Sequence, residues 1–176
     1  MSNRRPHDAP VYTGQGDALA SGFMPCSLEP PMNAASVLPA PLDRLLEEAS
    51  QAALHAYAPY SGFRVGAALL LAGGETVTGT NVENVSYGLT ICAERAALVQ
   101  AVSRFGPGIR IEAVAVANLN HAPSPPCGAC RQMLAEFIEP HAPVVFPSLG
   151  GNRTMAFQDL LPGGFEMKLK QDEPQP

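Results

Sequence analysis

The sequence predicts an α/β layered fold with a mixed sheet, because segments with helical periodicity alternate with short apolar segments that favour strands. Residues 63–71 are almost wholly apolar, and residues 109–119 are rich in β-formers. Between them, residues 92–104 are rich in alanine and contain neither glycine nor proline, which indicates a helix. A chain of 176 residues is long enough to bury such a core in one domain.

The first regular element is predicted to be an amphipathic helix that starts at Asp43. Its apolar face would comprise Leu45, Leu46, Ala49, Ala53 and Ala56. The proline and glycine in residues 57–62 end this helix. Two strands follow, over residues 63–71 and 75–80, joined by a hairpin turn at Gly73 and Gly74, and both are predicted to be central in the sheet or nearly so.

The rest of the chain continues the alternation of helices and strands. The predicted elements are a helix over residues 92–104, a strand over 109–119, a helix from about 127, a strand over 142–146, a short strand at 155–156 and a brief helix through 161. The helix from about residue 127 is predicted to place Cys130, Met133, Leu134, Phe137 and Ile138 on one face.

The first 41 residues differ in composition from the rest of the chain. Proline, serine, glycine and asparagine are mixed there with scattered apolar residues that show no period, so the segment cannot bury enough surface to offset its ordering entropy. Residues 1–41 are therefore predicted to be a disordered, Pro-rich N-terminal extension, and residues 42–176 one domain. Arg4 and Arg5 precede no apolar stretch of signal-peptide length, and the longest apolar run is far too short for a bilayer. We expect a cytoplasmic protein without a membrane partner.

Charge and cysteine content narrow the class of function. The net charge of −5 supplies no basic surface for a phosphate backbone, so a nucleic-acid partner is disfavoured. Four cysteines could form two disulfides, but a Cys-x-x-Cys pair with a third cysteine beside a glutamate favours a metal and a reducing compartment. Cys26 is left over and is predicted to be a bystander.

The Cys-x-x-Cys pair, Cys127 and Cys130, would place two sulfurs on one side of a helix start. By itself such a pair is equally typical of a structural zinc ribbon or a thioredoxin-like redox pair. A ribbon needs a second cysteine or histidine pair, whereas here Cys92 alone remains to give a third ligand. Three protein ligands leave the fourth tetrahedral position for water, which is the coordination of a catalytic zinc and predicts a zinc-bound hydroxide nucleophile at neutral pH.

Glu94 and Arg95 follow the predicted ligand Cys92 directly. Two residues on an ideal helix are separated by about 200°, so Cys92 and Glu94 can both face the metal only if Cys92 lies at the non-helical edge of the first turn. We expect that geometry, with Glu94 as the catalytic proton shuttle. It would take a proton from zinc-bound water and deliver protons to a ring nitrogen and to the leaving amine of the substrate. Arg95 is predicted to offset the negative charge of a three-thiolate zinc site by donating to a ligand sulfur.

These residues resemble the zinc-dependent cytidine deaminases of the homotetrameric type, whose signature is a Cys or His, any residue and Glu, followed later by Pro-Cys-x-x-Cys. The resemblance covers roughly residues 43–165 and is carried by four motifs, which span residues 57–69, 81–95, 124–132 and 160–165. It implies a three-layer α/β/α fold with a mixed, roughly five-stranded central sheet. It also implies one Zn²⁺ per chain and a homotetramer with active sites at the subunit interfaces.

The resemblance further implies an activity and a set of binding residues. The reaction would be hydrolytic deamination of cytidine or 2'-deoxycytidine, in pyrimidine salvage. Asn81 and Glu83 would hold the ribose hydroxyls, the Ala93 backbone would contact the pyrimidine, and Phe63 would line the pocket. Tyr87 and Phe165 would reach the neighbouring subunit's site. Pro125 beside Pro126 departs from the usual family pattern and leaves the choice between the two nucleosides open.

Three other functions fit part of the pattern. A blasticidin-type deaminase would act on a nucleoside antibiotic, but the residues Asn81 to Asn84 and the pair Glu94 and Arg95 favour a cytidine deaminase. A non-catalytic zinc-binding module would lack the glutamate, and a nucleic-acid-editing module would carry a basic face. This chain has Glu94 and a negative net charge.

Overall fold

The computed structural model describes residues 40–165 and contains one five-stranded sheet. The elements are α1 (Ala40–Ala53), β1 (Val65–Leu71), β2 (Thr76–Thr80), α2 (Ala93–Phe105), β3 (Ile111–Asn118), α3 (Gly128–Leu134), β4 (Pro143–Ser148), β5 (Gly151–Ala156) and α4 (Phe157–Leu160), with a 3₁₀ turn at Tyr87–Leu89. The strand order is β2-β1-β3-β4-β5. The pair β3 and β4 is parallel and every other neighbouring pair is antiparallel, so the sheet is mixed.

Helices cover both faces of this sheet. Strand β3 sorts its side chains by alternation, because Ala113, Ala115 and Ala117 contact α1 on one face while Val114 and Val116 face α2 and α3 on the other. The face under α1 is lined mainly by alanine. The opposite face holds the larger cluster, which α4 completes through Phe157 and Leu160. The predicted three-layer α/β/α fold with a mixed five-stranded sheet is confirmed.

Two glycines let helices contact the sheet through backbone atoms. A Cβ atom on Gly66 of β1 would overlap the backbone of Ala49 and Ala53 in α1. A Cβ atom on Gly79 of β2 would overlap the backbone of Ala93 and Ala97 in α2. These close approaches set the depth at which each helix lies on the sheet. Gly79 therefore fixes the position of the helix start that follows Cys92.

The boundaries of several elements differ from the sequence prediction. Helix α1 begins at Ala40, three residues before Asp43, and ends at Ala53, so Ala56 lies beyond it. Strand β2 was predicted to be central or nearly so, and this is wrong, because it forms one edge of the sheet. Strand β5 spans Gly151–Ala156 rather than two residues, since it pairs along the whole of β4.

The predicted apolar face of α3 is also partly wrong. The helix ends at Leu134, so Phe137 and Ile138 lie outside it. Ile138 is nevertheless buried, because it forms a bridge with Ile111 at the start of β3. Met133 is 38% exposed, whereas Cys130 and Leu134 are buried. A short helix followed by a turn does not continue the helical period on which the prediction relied.

The predicted N-terminal extension and Cys26 lie outside the described residues, apart from Ala40 and Pro41 at the start of α1. The boundary between extension and domain therefore stays a prediction. Within residues 40–165, every helix falls short of the length and apolar character that a bilayer crossing needs.

Candidate metal centre and active site

Three segments that are distant in sequence run side by side before α2 begins. The N–H of Tyr57 donates to the carbonyl of Asn81 at 3.1 Å, and the N–H of Glu83 donates to the carbonyl of Tyr57 at 2.8 Å. Val82 in turn exchanges two backbone hydrogen bonds with Ile91, at 2.9 and 3.0 Å. The 81–83 segment is thus held between the 57–63 loop and the residue that precedes Cys92.

The three predicted zinc ligands lie together at the starts of two helices. Cys92 is the N-cap of α2 and Cys127 is the N-cap of α3, both with extended backbone (φ −74°, ψ 155° and φ −69°, ψ 162°). The Sγ atoms of Cys92 and Cys127 are 3.8 Å apart, and those of Cys127 and Cys130 are 3.4 Å apart. All three Sγ atoms lie within 4.8 Å of one another.

This arrangement fits a tetrahedral zinc ion. Zinc–sulfur bonds of about 2.3 Å place two tetrahedral ligand sulfurs about 3.8 Å apart. Thiolate is a preferred ligand of zinc, and no disulfide joins these three cysteines. Cys92, Cys127 and Cys130 would together hold one ion per chain. They are the one group of potential metal ligands of this kind within residues 40–165.

The surroundings of Cys92 favour its thiolate form. The Cys92 sulfur accepts a hydrogen bond from Cys130 and lies 3.7 Å from an Arg95 guanidinium nitrogen, and together these lower the pKa of Cys92 to about 5. The pKa of Cys130 is raised, because its S–H donates to Cys92 and because the side chain is buried. Arg95 also donates to the Thr90 carbonyl at 2.9 Å. The structure therefore places Arg95 against the sulfur of Cys92, a predicted zinc ligand.

Glu94 lies in the first turn of α2 and is only 4% exposed. Because Cys92 is extended rather than helical, Glu94 and the cysteine sulfur are brought to the same side of the helix start. Burial raises the pKa of Glu94, and the neighbouring Cys92 thiolate raises it further. A carboxyl group with a raised pKa holds its proton closer to neutral pH, which suits a group that both accepts and returns protons.

Asn81 and Glu83 are buried and present complementary hydrogen-bonding groups. The Asn81 amide donates to the Phe63 carbonyl at 2.8 Å and accepts from the Val65 N–H at 2.8 Å, which leaves one N–H free to donate. The Glu83 carboxylate accepts from the Tyr60 N–H at 2.9 Å, the Ser61 N–H at 3.2 Å and the Ser61 hydroxyl. Of about four acceptor positions on a carboxylate, one therefore remains.

The other predicted binding residues have contrasting environments. Ala93 is fully buried as the first residue of α2, and Phe63 is partly buried beside Asn81. Tyr87 and Phe165 are 72% and 69% exposed. The backbone of Phe165 is held by Gln132 of α3, whose side-chain amide accepts from its N–H at 3.0 Å and donates to its carbonyl at 2.8 Å.

Four residues that organise this region were not singled out from the sequence. Ser61 binds Glu83, and Gln132 links helix α3, which carries Cys130, to Phe165. Arg131 donates to the carbonyls of Pro126 and Leu160, at 2.6 and 2.7 Å. Asn120 contacts the backbone on either side of Phe63. The adjacency of Arg131 and Gln132 to Cys130 could have pointed to them, whereas Ser61 and Asn120 carry no such signal.

Comparison with known proteins identifies the family to which this chain belongs. The model of the family described as "Cytidine and deoxycytidylate deaminase zinc-binding region" matches residues 40–146. The chain belongs to the cytidine and deoxycytidylate deaminase family. A cytidine deaminase from Halalkalibacterium halodurans is 48% identical over 123 residues, which is 69% of this chain and 91% of that protein. A cytidine deaminase from Sporosarcina psychrophila is 44% identical over 126 residues, covering 70% of this chain and 90% of that protein.

Solved structures of family members agree with the fold. The crystal structure of cytidine deaminase from Burkholderia pseudomallei is similar with a TM-score of 0.63 at 46% identity, over 70% of this chain and 98% of that chain. The Mycobacterium tuberculosis cytidine deaminase gives a TM-score of 0.63 at 43% identity, over 71% and 97%. The predicted deaminase family, enzyme class and zinc cofactor are confirmed.

Proposed function

We propose that this protein catalyses the hydrolytic deamination of cytidine, 2'-deoxycytidine or both, yielding uridine or deoxyuridine and ammonia. The observation that carries this proposal is the buried Glu94 at the helix start that also bears Cys92, within a three-sulfur cluster of zinc geometry. A purely structural zinc site is closed by four protein ligands and has no use for a buried carboxyl group beside three cysteines. Pyrimidine salvage is the metabolic role that fits this reaction.

The reaction needs a nucleophile and several proton transfers. Water adds to the ring carbon that bears the amino group, and the bond from that carbon to nitrogen then breaks. Zinc bound at the three sulfurs would supply Lewis-acid activation of the attacking water. Glu94 accepts a proton from that water and passes it to the adjacent ring nitrogen. It then accepts the proton of the added hydroxyl and passes it to the departing amine, so that the carboxylate takes up two protons and returns two. Arg95 holds the Cys92 thiolate in place through charge and hydrogen bonding.

The free hydrogen-bonding groups of Asn81 and Glu83 suit a sugar hydroxyl. A hydroxyl both donates and accepts. Asn81 has one remaining donor and Glu83 one remaining acceptor, and both side chains are fixed by backbone partners before any substrate arrives. Such preorganisation lowers the entropy cost of binding. Phe63, at the position next to these groups in the structure, supplies an aromatic face, and the backbone of Ala93 reaches the base.

We further propose a homotetramer in which Tyr87 and Phe165 complete a neighbouring subunit's site. Both side chains are largely exposed in the single chain. The exposed large apolar residues near the site include Tyr57, Tyr60, Val82, Val85, Tyr87 and Leu89. A concentration of exposed apolar side chains of this kind is typical of a surface that another protein covers. A cytoplasmic location is part of the proposal, since a reducing compartment preserves three zinc-binding thiolates.

Activity assays with three substrates test the proposal. The purified protein is incubated with cytidine, 2'-deoxycytidine and blasticidin S, and both ultraviolet absorbance and ammonia release are followed. Turnover of either pyrimidine nucleoside, lost on zinc removal and restored by zinc, is the expected result. Turnover of blasticidin S alone would assign the chain to the rival antibiotic deaminase activity instead.

A further inference from the structure

The backbone around Phe63 is bound largely by side chains rather than by a neighbouring strand. The Phe63 N–H donates to the Ser61 hydroxyl at 2.9 Å, and the Phe63 carbonyl accepts from Asn81 at 2.8 Å. On either side of Phe63, the Gly62 carbonyl accepts from the Asn120 amide at 3.2 Å and the Arg64 N–H donates to the Asn120 side-chain oxygen at 3.0 Å. Asn120 thus binds residues 62 and 64 of this short segment, and Asn81 binds residues 63 and 65.

The turn after β3 explains why the side chain of Asn120, rather than its backbone, binds the segment around Phe63. Strand β3 pairs with β1 as far as Asn118, opposite Val65. The Asn118 side-chain oxygen then accepts from the N–H groups of Asn120 and Ala122, at 2.9 and 3.2 Å, and curls the chain away from the sheet. The backbone N–H of Asn120 is therefore unavailable to the segment before β1. Its side-chain amide forms hydrogen bonds with that segment instead, in place of the backbone pairing that a further residue of β3 would provide.

We propose that Asn120 is a positioning residue that fixes the Phe63 ring for the substrate by binding the peptide groups on both sides of Phe63. This inference rests on the proposed function, because it takes Phe63 as a wall of the nucleoside pocket. Asn120 acts only through Phe63 and does not contact the substrate. Its side chain is exposed, so it adds little to the buried core, and its loss should affect binding more than stability.

The first experiment compares Asn120→Ala and Asn120→Asp with the matched control Asn152→Ala, which alters an exposed asparagine on the edge strand β5. For Asn120→Ala we expect KM for cytidine to rise about three- to tenfold, the range of one or two net hydrogen bonds. The value of kcat should change less than KM, and Tm should stay close to that of the control. Asn120→Asp retains the acceptor for Arg64 but loses the donor to Gly62, so its KM should be intermediate.

A double-mutant cycle tests whether Asn120 acts through Phe63. In the Phe63→Ala background, Asn120→Ala should produce almost no further rise in KM, because the ring that it positions is gone. Independent, multiplicative effects of the two substitutions would overturn the proposal. So would a KM for Asn120→Ala that equals the parent value.

Amide hydrogen exchange provides a readout that needs no substrate. The Arg64 amide should exchange faster in Asn120→Ala but not in Asn120→Asp, whereas the Val65 amide, bound by Asn81, should stay protected in both. Unchanged exchange at Arg64 would overturn the role given to Asn120. A parent enzyme that deaminates no pyrimidine nucleoside, with the exchange result as expected, would instead overturn the proposed function.

Discussion

Cys92 lies just outside α2 in an extended conformation, while Glu94, two residues later, lies buried inside its first turn. This change of backbone conformation between the two residues brings a sulfur and a carboxyl group to one site, which a continuous helix would hold about 200° apart. The site therefore depends on where α2 starts. Substitutions of Cys92 and Glu94 test the chemistry of the two residues, and substitution of Gly79 tests the position of the helix.

Glu94→Gln should leave fold and zinc content intact but remove most of the activity. The amide is close in size to the carboxyl group but cannot shuttle a proton. General acid–base groups contribute about 10²–10⁴-fold, and a loss in kcat at or beyond the upper end is expected, since Glu94 serves several transfers. Glu112→Gln, an exposed glutamate on β3, is the control. Cytidine deamination by Glu94→Gln within about tenfold of the parent would contradict the shuttle role.

Each of Cys92→Ala, Cys127→Ala and Cys130→Ala should lose bound zinc, because two sulfurs do not complete the three-ligand site. Metal analysis by mass spectrometry after dialysis measures this directly. Cys26→Ala, which changes a residue outside the described part of the chain, should retain about one zinc per chain. A requirement for Cys26 would show that the ligands are wrongly assigned.

Gly79→Ala should destabilise the protein and weaken zinc binding together. Its new methyl group would collide with the backbone of α2 near Ala93 and push the helix start that carries Cys92. Overpacking of this kind costs about 1–3 kcal/mol of the free energy of unfolding, measured by denaturant titration.

Two further glycines provide controls for the Gly79 result. Gly66→Ala should destabilise to a similar degree by displacing α1, yet leave zinc affinity close to the parent value, because α1 carries no ligand. Gly108→Ala meets no atom within 4 Å and should change neither quantity. Equal zinc affinity in Gly79→Ala and Gly66→Ala would refute the link between helix position and metal site.

The stability contributed by Glu83 should depend on pH in a defined direction. The Ser61 hydroxyl and the N–H groups of Tyr60 and Ser61 lower the pKa of Glu83 below its ordinary value of 4.5. A lowered folded-state pKa stabilises the folded protein above pH 4.5, and the contribution is lost as pH falls through the folded-state value. The difference in free energy of unfolding between parent and Glu83→Gln should thus be constant near neutral pH and shrink in acid.

Denaturant titrations across this pH range measure the difference. The parent and Glu83→Gln share the other acid-sensitive groups, so release of zinc affects both proteins. A gap between parent and Glu83→Gln that widens as pH falls below 4.5 would mean that the Ser61 contacts do not favour the carboxylate.

Subunit complementation should reveal a shared active site. If Phe165 completes a neighbour's pocket, Phe165→Ala and Glu94→Gln should each be weak or inactive alone. Mixed tetramers formed by refolding the two together should regain part of the activity, because some sites combine an intact Glu94 with a partner's intact Phe165. Light scattering should report a tetramer throughout. No gain on mixing, or a fully active monomer, would refute the shared site.

The sequence predicts the backbone position of Cys92 better than the edges of the sheet. Cys92 at the non-helical edge of its helix follows from the two-residue spacing to Glu94 and from the helical period, which are local properties. The edge position of β2 does not follow from local properties. It arises because β3 pairs with β1 and not with β2, and this choice depends on contacts between segments that are distant in sequence.

Ser61 and Asn120 escape prediction for a related reason. Their partners are Glu83 and the peptide groups beside Phe63, which are far away in sequence and have no residue-specific signature. Phe137 and Ile138 lie outside α3 because the short helix ends at Leu134, and Met133 is 38% exposed although it lies within the helix. Hydrophobic periodicity identifies a helix or a strand from the sequence. The contacts of side chains in loops can be predicted only once the three-dimensional fold is known.

The separation in sequence of the two cysteine-bearing helices, α2 and α3, has a consequence for the order of folding events. The β1–β2 hairpin and α2, which carries Cys92, are close in sequence and can assemble early. Cys127 and Cys130 reach Cys92 only after β3 has joined β1 and α3 has packed beside α2 on the same face. We therefore expect tight metal uptake to be a late kinetic step, so the rate at which zinc leaves a competing dye should report completion of the native topology rather than initial collapse.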